Sequence, residues 1–211
     1  MKIDSVRREY LFSGLSKQHV EKNPVNQFRK WLNDAINLKT FDPTAMSVST
    51  IGTDGFPQNR IVLLKFFDEQ GFVFFTNYES EKGQSIQQNP RVGLHFYWPE
   101  LERQMRISGF AEKTTGEVSD NYFYSRPPGS QIGAIVSDQS REIPSRKFLE
   151  DRFKNFQKQL EEQPPERPEN WGGYLVKPVK MEFWQGRKNR LHDRIIYEKQ
   201  NGTWLIKRLA P

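Results

Sequence analysis

Ala45-Met-Ser-Val-Ser-Thr-Ile51, then Gly52-Thr-Asp-Gly-Phe-Pro-Gln58, then Asn59-Arg-Ile-Val-Leu-Leu-Lys-Phe-Phe67 reads as strand, turn and strand. Asp54-Gly55 is a hairpin dipeptide, because both of its residues tolerate the positive φ that a tight turn with the right twist demands. A hairpin joins antiparallel neighbours, whereas parallel strands need a long crossover. Outward from this stretch the same grammar repeats. Gly71 opens a strand at Phe72–Thr76, and Val92–Trp98 and Gln104–Lys113 follow. Further strands are expected at 173–177, 179–185, 191–198 and 203–209, with Asn201-Gly202 as the last hairpin turn.

Helices are expected between these strands. Asn23-Pro24 gives an N-cap and a proline at the first helical position, and Phe28, Leu32, Ala35 and Ile36 carry an apolar stripe to about Lys39. Residues 81–89 form a short helix stopped by Pro90. Glu117–Ser125 ends at the turn Arg126-Pro-Pro-Gly129, and a helix from Ser145 to Glu162 is broken by Pro164, Pro165 and Pro168. Strands at both ends of the chain, mostly hairpin-linked, predict a mainly β, antiparallel sheet or barrel with peripheral helices. Residues 1–22 are polar and read as a mobile N-terminal segment, with 23–211 as a single domain.

The chain has 211 residues, enough for a real core, and 16 Phe, 7 Tyr and 5 Trp give bulk to a hydrophobic fraction of only 35%. No apolar run approaches bilayer-spanning length and the N-terminus has no signal-peptide core, so a cytoplasmic protein is expected. The absence of cysteine excludes disulfides and thiolate chemistry. The histidines at 19, 95 and 192 share no metal-ligand spacing, so no metal is expected. A net charge of +6 raises nucleic acid as a partner. The cations are nevertheless interleaved with Asp and Glu, without a basic tail, and suit small phosphorylated ligands better. There is no Gly-x-Gly-x-x-Gly after a strand, no Walker loop and no Gly-x-Ser-x-Gly elbow.

Several constellations could carry chemistry. Glu182-Phe-Trp-Gln-Gly-Arg-Lys-Asn-Arg-Leu-His-Asp-Arg194 places a large flat ring, Trp184, before Arg190, His192 and Arg194. If 190–194 is extended, the period of two puts those three on one face, suited to an anionic planar ligand; otherwise it is a basic edge strand with Trp184 in the core. Arg60 and Lys65 have opposite parity, so on a regular strand they serve different anionic groups, or simply snorkel at its ends. Tyr122 and Arg126 are four apart on a helix, and the turn after them returns Ser130, a set that fits a phosphate or an ordinary helix end.

Taken in order, Arg7–Tyr10, Asp42–Met46, Arg60–Lys65, Asn89–Val92, Ser125–Pro127, Ser130–Ala134, Trp171–Gly173, Glu182–Gly186 and Arg190–Arg194 resemble the pyridoxamine 5′-phosphate oxidase family across nearly the whole chain. The resemblance implies an FMN-binding split β-barrel, usually a homodimer with flavin at the subunit interface. It implies oxidation of pyridoxamine 5′-phosphate or pyridoxine 5′-phosphate to pyridoxal 5′-phosphate, with oxygen as acceptor, hydrogen peroxide as product and ammonia released from the amine. By position, FMN would be met by Arg60, Ile61, Val62, Leu63, Leu64, Lys65, Phe75, Thr76, Lys82, Gln104, Gln139, Ser140, Trp184 and Arg194. The substrate phosphate would fall to Lys65, Tyr122, Arg126 and Ser130. Arg190 and His192, with Leu191 between them, would sit against the substrate ring as the catalytic pair, and Arg7, Arg8, Glu9 and Tyr10 would close over it. Two other readings are a barrel flavoprotein without pyridoxine chemistry, against which Tyr122, Arg126, Arg190 and His192 argue, and a nucleic-acid-binding barrel, which would be colourless when purified.

This chain departs from the family pattern twice. Ser80-Glu81-Lys82 stands where Ser-Arg-Lys is common, and Phe75 where tyrosine is frequent. Glu81 cannot donate to a phosphate, so Glu81→Arg is expected to tighten FMN in a titration of the apoprotein; unchanged affinity would sink this reading.

Overall fold

In the computed structural model the described residues are 9–11, 14–159 and 165–211. The elements run α1 (Pro24–Asn37), β1 (Ala45–Ile51), β2 (Pro57–Leu63), β3 (Phe66–Asp68), β4 (Gly71–Asn77), α2 (Glu81–Gln88), β5 (Arg91–Trp98), β6 (Arg103–Lys113), α3 (Gly116–Ser125), α4 (Pro128–Val136), α5 (Arg146–Gln159), β7 (Trp171–Gln185), β8 (Asp193–Gln200) and β9 (Thr203–Leu209). The strands form one antiparallel sheet in the order β2-β1-β5-β6-β7-β4-β3, and β8 and β9 branch from β7. The expected antiparallel architecture is therefore present.

The branch at β7 makes the sheet split. The first part of β7 pairs with β4, from Trp171↔Asn77 to Val176↔Phe72, and the last part pairs with β8, from Lys180↔Glu198 to Gln185↔Asp193. β6 runs along the other side of both. Two strands expected at 173–177 and 179–185 are thus one strand. Pro178 lies at the register shift between Ser108 and Gly109, where the other edge of β7 is unpaired between Val176 and Lys180, a position that tolerates proline. A Cβ on the facing Gly109 would lie 2.4 Å from the Lys177 carbonyl oxygen, so close backbone approach requires glycine there.

α1 closes one face. Asn23 caps it by accepting from the Val25 N–H, and its buried stripe is Val25, Phe28, Trp31, Leu32 and Ala35. Phe28 sits against Phe67, Phe72 and Phe96 with ring centroids 4.8–5.1 Å apart. Trp31 packs edge-on against Phe183, and the Arg103 guanidinium covers its other side while ion-pairing with Asp34 at 2.7 Å.

The structure departs from the expected elements at further points. The Pro-Pro-Gly turn after Arg126 opens a further helix, α4, because Pro128 stands at its start and Ile132 and Val136, one turn apart, are both buried. Residues 190–192 are not extended. Lys188–Arg190 form a 3₁₀ turn with Asn189 and Arg190 in the left-handed region, and β8 begins only at Asp193, so the period of two never applies to Arg190 and His192. Part of the N-terminal segment expected to be mobile is pinned. The Leu11 N–H donates to Glu102 at 2.8 Å, and the Leu15 N–H to Asp193 at 2.9 Å. Among the described residues no helix is long and apolar enough to cross a membrane.

Because Phe28 is fully buried at the centre of the aromatic cluster, Phe28→Ala is expected to lower unfolding free energy by about 3–5 kcal/mol in urea denaturation.

Candidate functional site

A cleft of about 1060 Å³ opens between β2, β4 and the helices α2, α3 and α4. Arg60, Lys65, Lys82 and Arg126 line it against a single carboxylate, Glu81. Each cation is placed by a different element. Arg60, on β2, reaches across β1, donating to the Thr50 hydroxyl at 2.8 Å and to the Val48 carbonyl at 3.2 Å. Lys65 lies past the end of β2, its N–H donating to Val73 at 2.9 Å, so strand parity does not separate it from Arg60 and both face one cleft. Lys82, in the first turn of α2, is buried and donates to Thr76 at 3.1 Å and Ser80 at 3.2 Å. Burial pushes its ammonium down to about 8, and the neighbouring Arg60 adds to the effect. Arg126 caps the C-terminal end of α3, and its Nη1 is buried without a hydrogen-bond partner among the described residues.

One wall is aromatic. Phe75 stacks on Tyr122 with centroids 4.0 Å apart, Tyr122 lies parallel to Trp171, and the Arg126 guanidinium sits 4.8 Å over the Trp171 ring. Ile61, Val62, Leu63, Thr76, Ser130, Gln139 and Ser140 complete the expected lining, and Thr76 donates to Gln139 at 3.3 Å. Leu64 instead turns into the core. Sequence reasoning missed Gln58, Asn77, Trp171 and the α4 residues Gly133 and Ala134. Recognition of α4 would have supplied the last two. Glu81 turns its carboxylate to Gln58, accepting from Nε2 at 2.6 Å at the start of α2, where a negative charge suits the helix dipole.

The remaining expected residues lie outside this cleft. Gln104, Trp184 and Arg194 stand directly opposite one another on β6, β7 and β8, so one row crosses the outer face of the sheet. Trp184 is half-buried there, not in the core; that place belongs to Phe183. His95 fixes the Gln104 amide by a 2.9 Å bond to Oε1. His192 packs on Trp184 at 4.6 Å, and its Nδ1 accepts from the Arg187 N–H at 3.1 Å. The ring proton therefore sits on Nε2, and burial with the nearby Arg190 charge moves the imidazole below its usual range, so it is a neutral donor. Tyr10 stands edge-on to both rings, in space left by Gly186, whose Cβ would come within 2.4 Å of it. Glu9 is exposed, as are Arg190 and Leu191. Arg7 and Arg8 lie outside the described residues. Among those described, no cluster of His, Cys, Asp or Glu is arranged to hold a metal.

Residues 32–160 match the family model described as pyridoxamine 5′-phosphate oxidase, and 171–211 match that of the pyridoxine 5′-phosphate oxidase C-terminal dimerisation region. The chain belongs to the pyridoxamine 5′-phosphate oxidase family. The pyridoxine/pyridoxamine 5′-phosphate oxidase of Flavobacterium johnsoniae is 52% identical over 99% of this chain and 98% of its own length. That of Nostoc punctiforme is 50% identical over the same shares. Among solved structures, PhzG of Burkholderia lata 383, in complex with tetrahydrophenazine-1-carboxylic acid, superposes with a TM-score of 0.87 at 27% identity, covering 93% of this chain and 98% of that one. A pyridoxamine 5′-phosphate oxidase-related, FMN-binding protein of Nostoc punctiforme shares the fold, with a TM-score of 0.70 at 18% identity over 87% of this chain and 97% of its own. Within the oxidase family pattern, the cleft residues fall mostly in the first matched region and Trp184, Arg190, His192 and Arg194 in the dimerisation region.

Lys82 makes the stability of the fold depend on pH. Its folded pKa, about 8, lies below the ordinary 10.5, so the unfolded chain binds more protons between them and stability rises with pH across that window. Apoprotein carrying Lys82→Met is expected to be more stable than wild type at pH 7, with an advantage that shrinks from about pH 8 towards 10.5. Paired thermal melts across that range test this; a constant gap would refute it.

Proposed function

We infer that this chain oxidises pyridoxamine 5′-phosphate and pyridoxine 5′-phosphate to pyridoxal 5′-phosphate as a homodimer, using FMN as cofactor and oxygen as electron acceptor, with hydrogen peroxide as product and, for the amine, ammonia released when water hydrolyses the imine. The observation that carries the reading is the unpartnered, buried Nη1 of Arg126 in a cleft where four cations face one carboxylate. A buried donor without a partner is costly, and a phosphate oxygen offers the missing acceptor with charge to match.

Two phosphates divide the cations. Lys65, Tyr122, Arg126 and Ser130 suit the substrate phosphate, with the Tyr122 ring also 5.9 Å beneath the Lys65 ammonium. Arg60 and Lys82, with Thr76, Gln139 and Ser140, suit the phosphate and polar chain of FMN. Bound FMN supplies hydride acceptance from the substrate carbon and delivery of two electrons to oxygen. The protein supplies alignment, and binding energy at the substrate phosphate serves it. The row Gln104, Trp184, Arg194 and the pair Arg190, His192 lie outside the cleft of their own chain, so in this reading they complete the cleft of a second copy. His192, as a neutral Nε2–H donor, would hold the substrate ring with Arg190 and not act as an obligatory base. In this reading Tyr10, already against His192 and Trp184, covers the substrate ring from the N-terminal side.

Purified protein is expected to be yellow, to release FMN on denaturation, and to turn over pyridoxamine 5′-phosphate with stoichiometric peroxide. A colourless protein inactive with added FMN would sink the reading. Arg190→Ala should lose far more turnover than Lys199→Ala, whose residue is exposed on β8; equal losses would remove Arg190 from the site.

A further inference from the structure

Glu182 has no role in the assignments above. It is buried on the same face of β7 as Trp184, two residues away, and both carboxylate oxygens are taken by guanidinium groups. Oε1 accepts from Arg194 Nε at 2.8 Å, and Oε2 accepts from Arg106 Nη2. Arg194 is gripped a second time, its Nη1 donating to the Ala210 carbonyl at 2.8 Å. With Nε and Nη1 both committed, the plane of the Arg194 guanidinium is set, and among the described residues Nη2 makes no hydrogen bond.

We propose that Glu182 is a positioning residue for the cofactor site, a buried carboxylate that fixes the plane of Arg194 so that Nη2 is presented to FMN. The proposal rests on the reading that Arg194 reaches FMN. Burial alone would raise the Glu182 carboxyl, but the bonds from Arg194 and Arg106 outweigh it and hold the group below its usual range, while the same bond raises Arg194. The clamp thus keeps both charges through the neutral range. A buried ion pair seldom adds much net stability, since desolvation offsets the attraction. What it does give is direction: a guanidinium held at two nitrogens cannot sample other rotamers when the ligand arrives, so less entropy is lost on binding.

A double-mutant cycle on FMN affinity separates this from a purely structural role. FMN is titrated into apoprotein, followed by quenching of flavin fluorescence, for wild type, Glu182→Gln, Arg194→Gln and the double variant. Glu182→Gln is expected to weaken FMN about tenfold, the scale of one charged hydrogen bond. Arg194→Gln should weaken it at least as much, and the double variant no more than Arg194→Gln alone. Wild-type affinity in Glu182→Gln, or its full loss repeated in the Arg194→Gln background, overturns the proposal. Wild-type affinity in Arg194→Gln overturns the proposal together with the FMN assignment beneath it. If Glu182→Gln does not fold, Glu182→Asp, too short to span both guanidinium groups, takes its place in the cycle with the same outcomes.

Discussion

A single strand has to satisfy three hydrogen-bonding neighbours. β7 pairs with β6 along most of its length, with β4 over its first part and with β8 over its last. Because side chains alternate across a strand, that arrangement decides which residues share a face. It puts Trp171 against the cleft at one end, and at the other it lines up Gln104, Trp184 and Arg194 across the outer surface. The bulge at Pro178 allows the change of partner, relaxing the register where the sheet divides.

The electrostatics of the cleft follow from the same frame. Arg60 is held over β1, Lys82 is buried behind Thr76, and Arg126 sits over Trp171 with one nitrogen unpaired. In the free protein these groups are unfavourable: burial depresses all three, and only Glu81 answers them within the cleft. On the proposed reading, such a cleft costs stability until phosphates occupy it, because its cations are pre-placed for charge. On the other face the cations are compensated from within, Glu182 holding Arg106 and Arg194, so there the protein fixes geometry and leaves little charge unanswered.

Much of this was legible in the sequence. Asp54-Gly55 and Asn201-Gly202 marked hairpins because their turn chemistry is local, and the stripe of α1 was visible because its period is local too. α4 was hidden because Pro127-Pro128-Gly129 looks like a stop, although Pro128 begins a helix whose buried side, Ile132 and Val136, shows only against the body of the protein. The reading of Arg190, His192 and Arg194 as one strand face fails because Asn189 and Arg190 take left-handed backbone in the tight β7–β8 connection; asparagine accepts that region readily, but nothing local marks it at arginine.

The sequence by itself determined the antiparallel class, the family and most of the polar residues that line the cleft, since motif order and turn signals are written along the chain. Only the tertiary structure decided that the site residues fall into two groups on different faces, that Arg60 and Lys65 share one cleft, and that Glu182 holds Arg194. Those facts depend on register between strands distant in sequence, and on where burial leaves a charge with or without a partner, which no local pattern encodes.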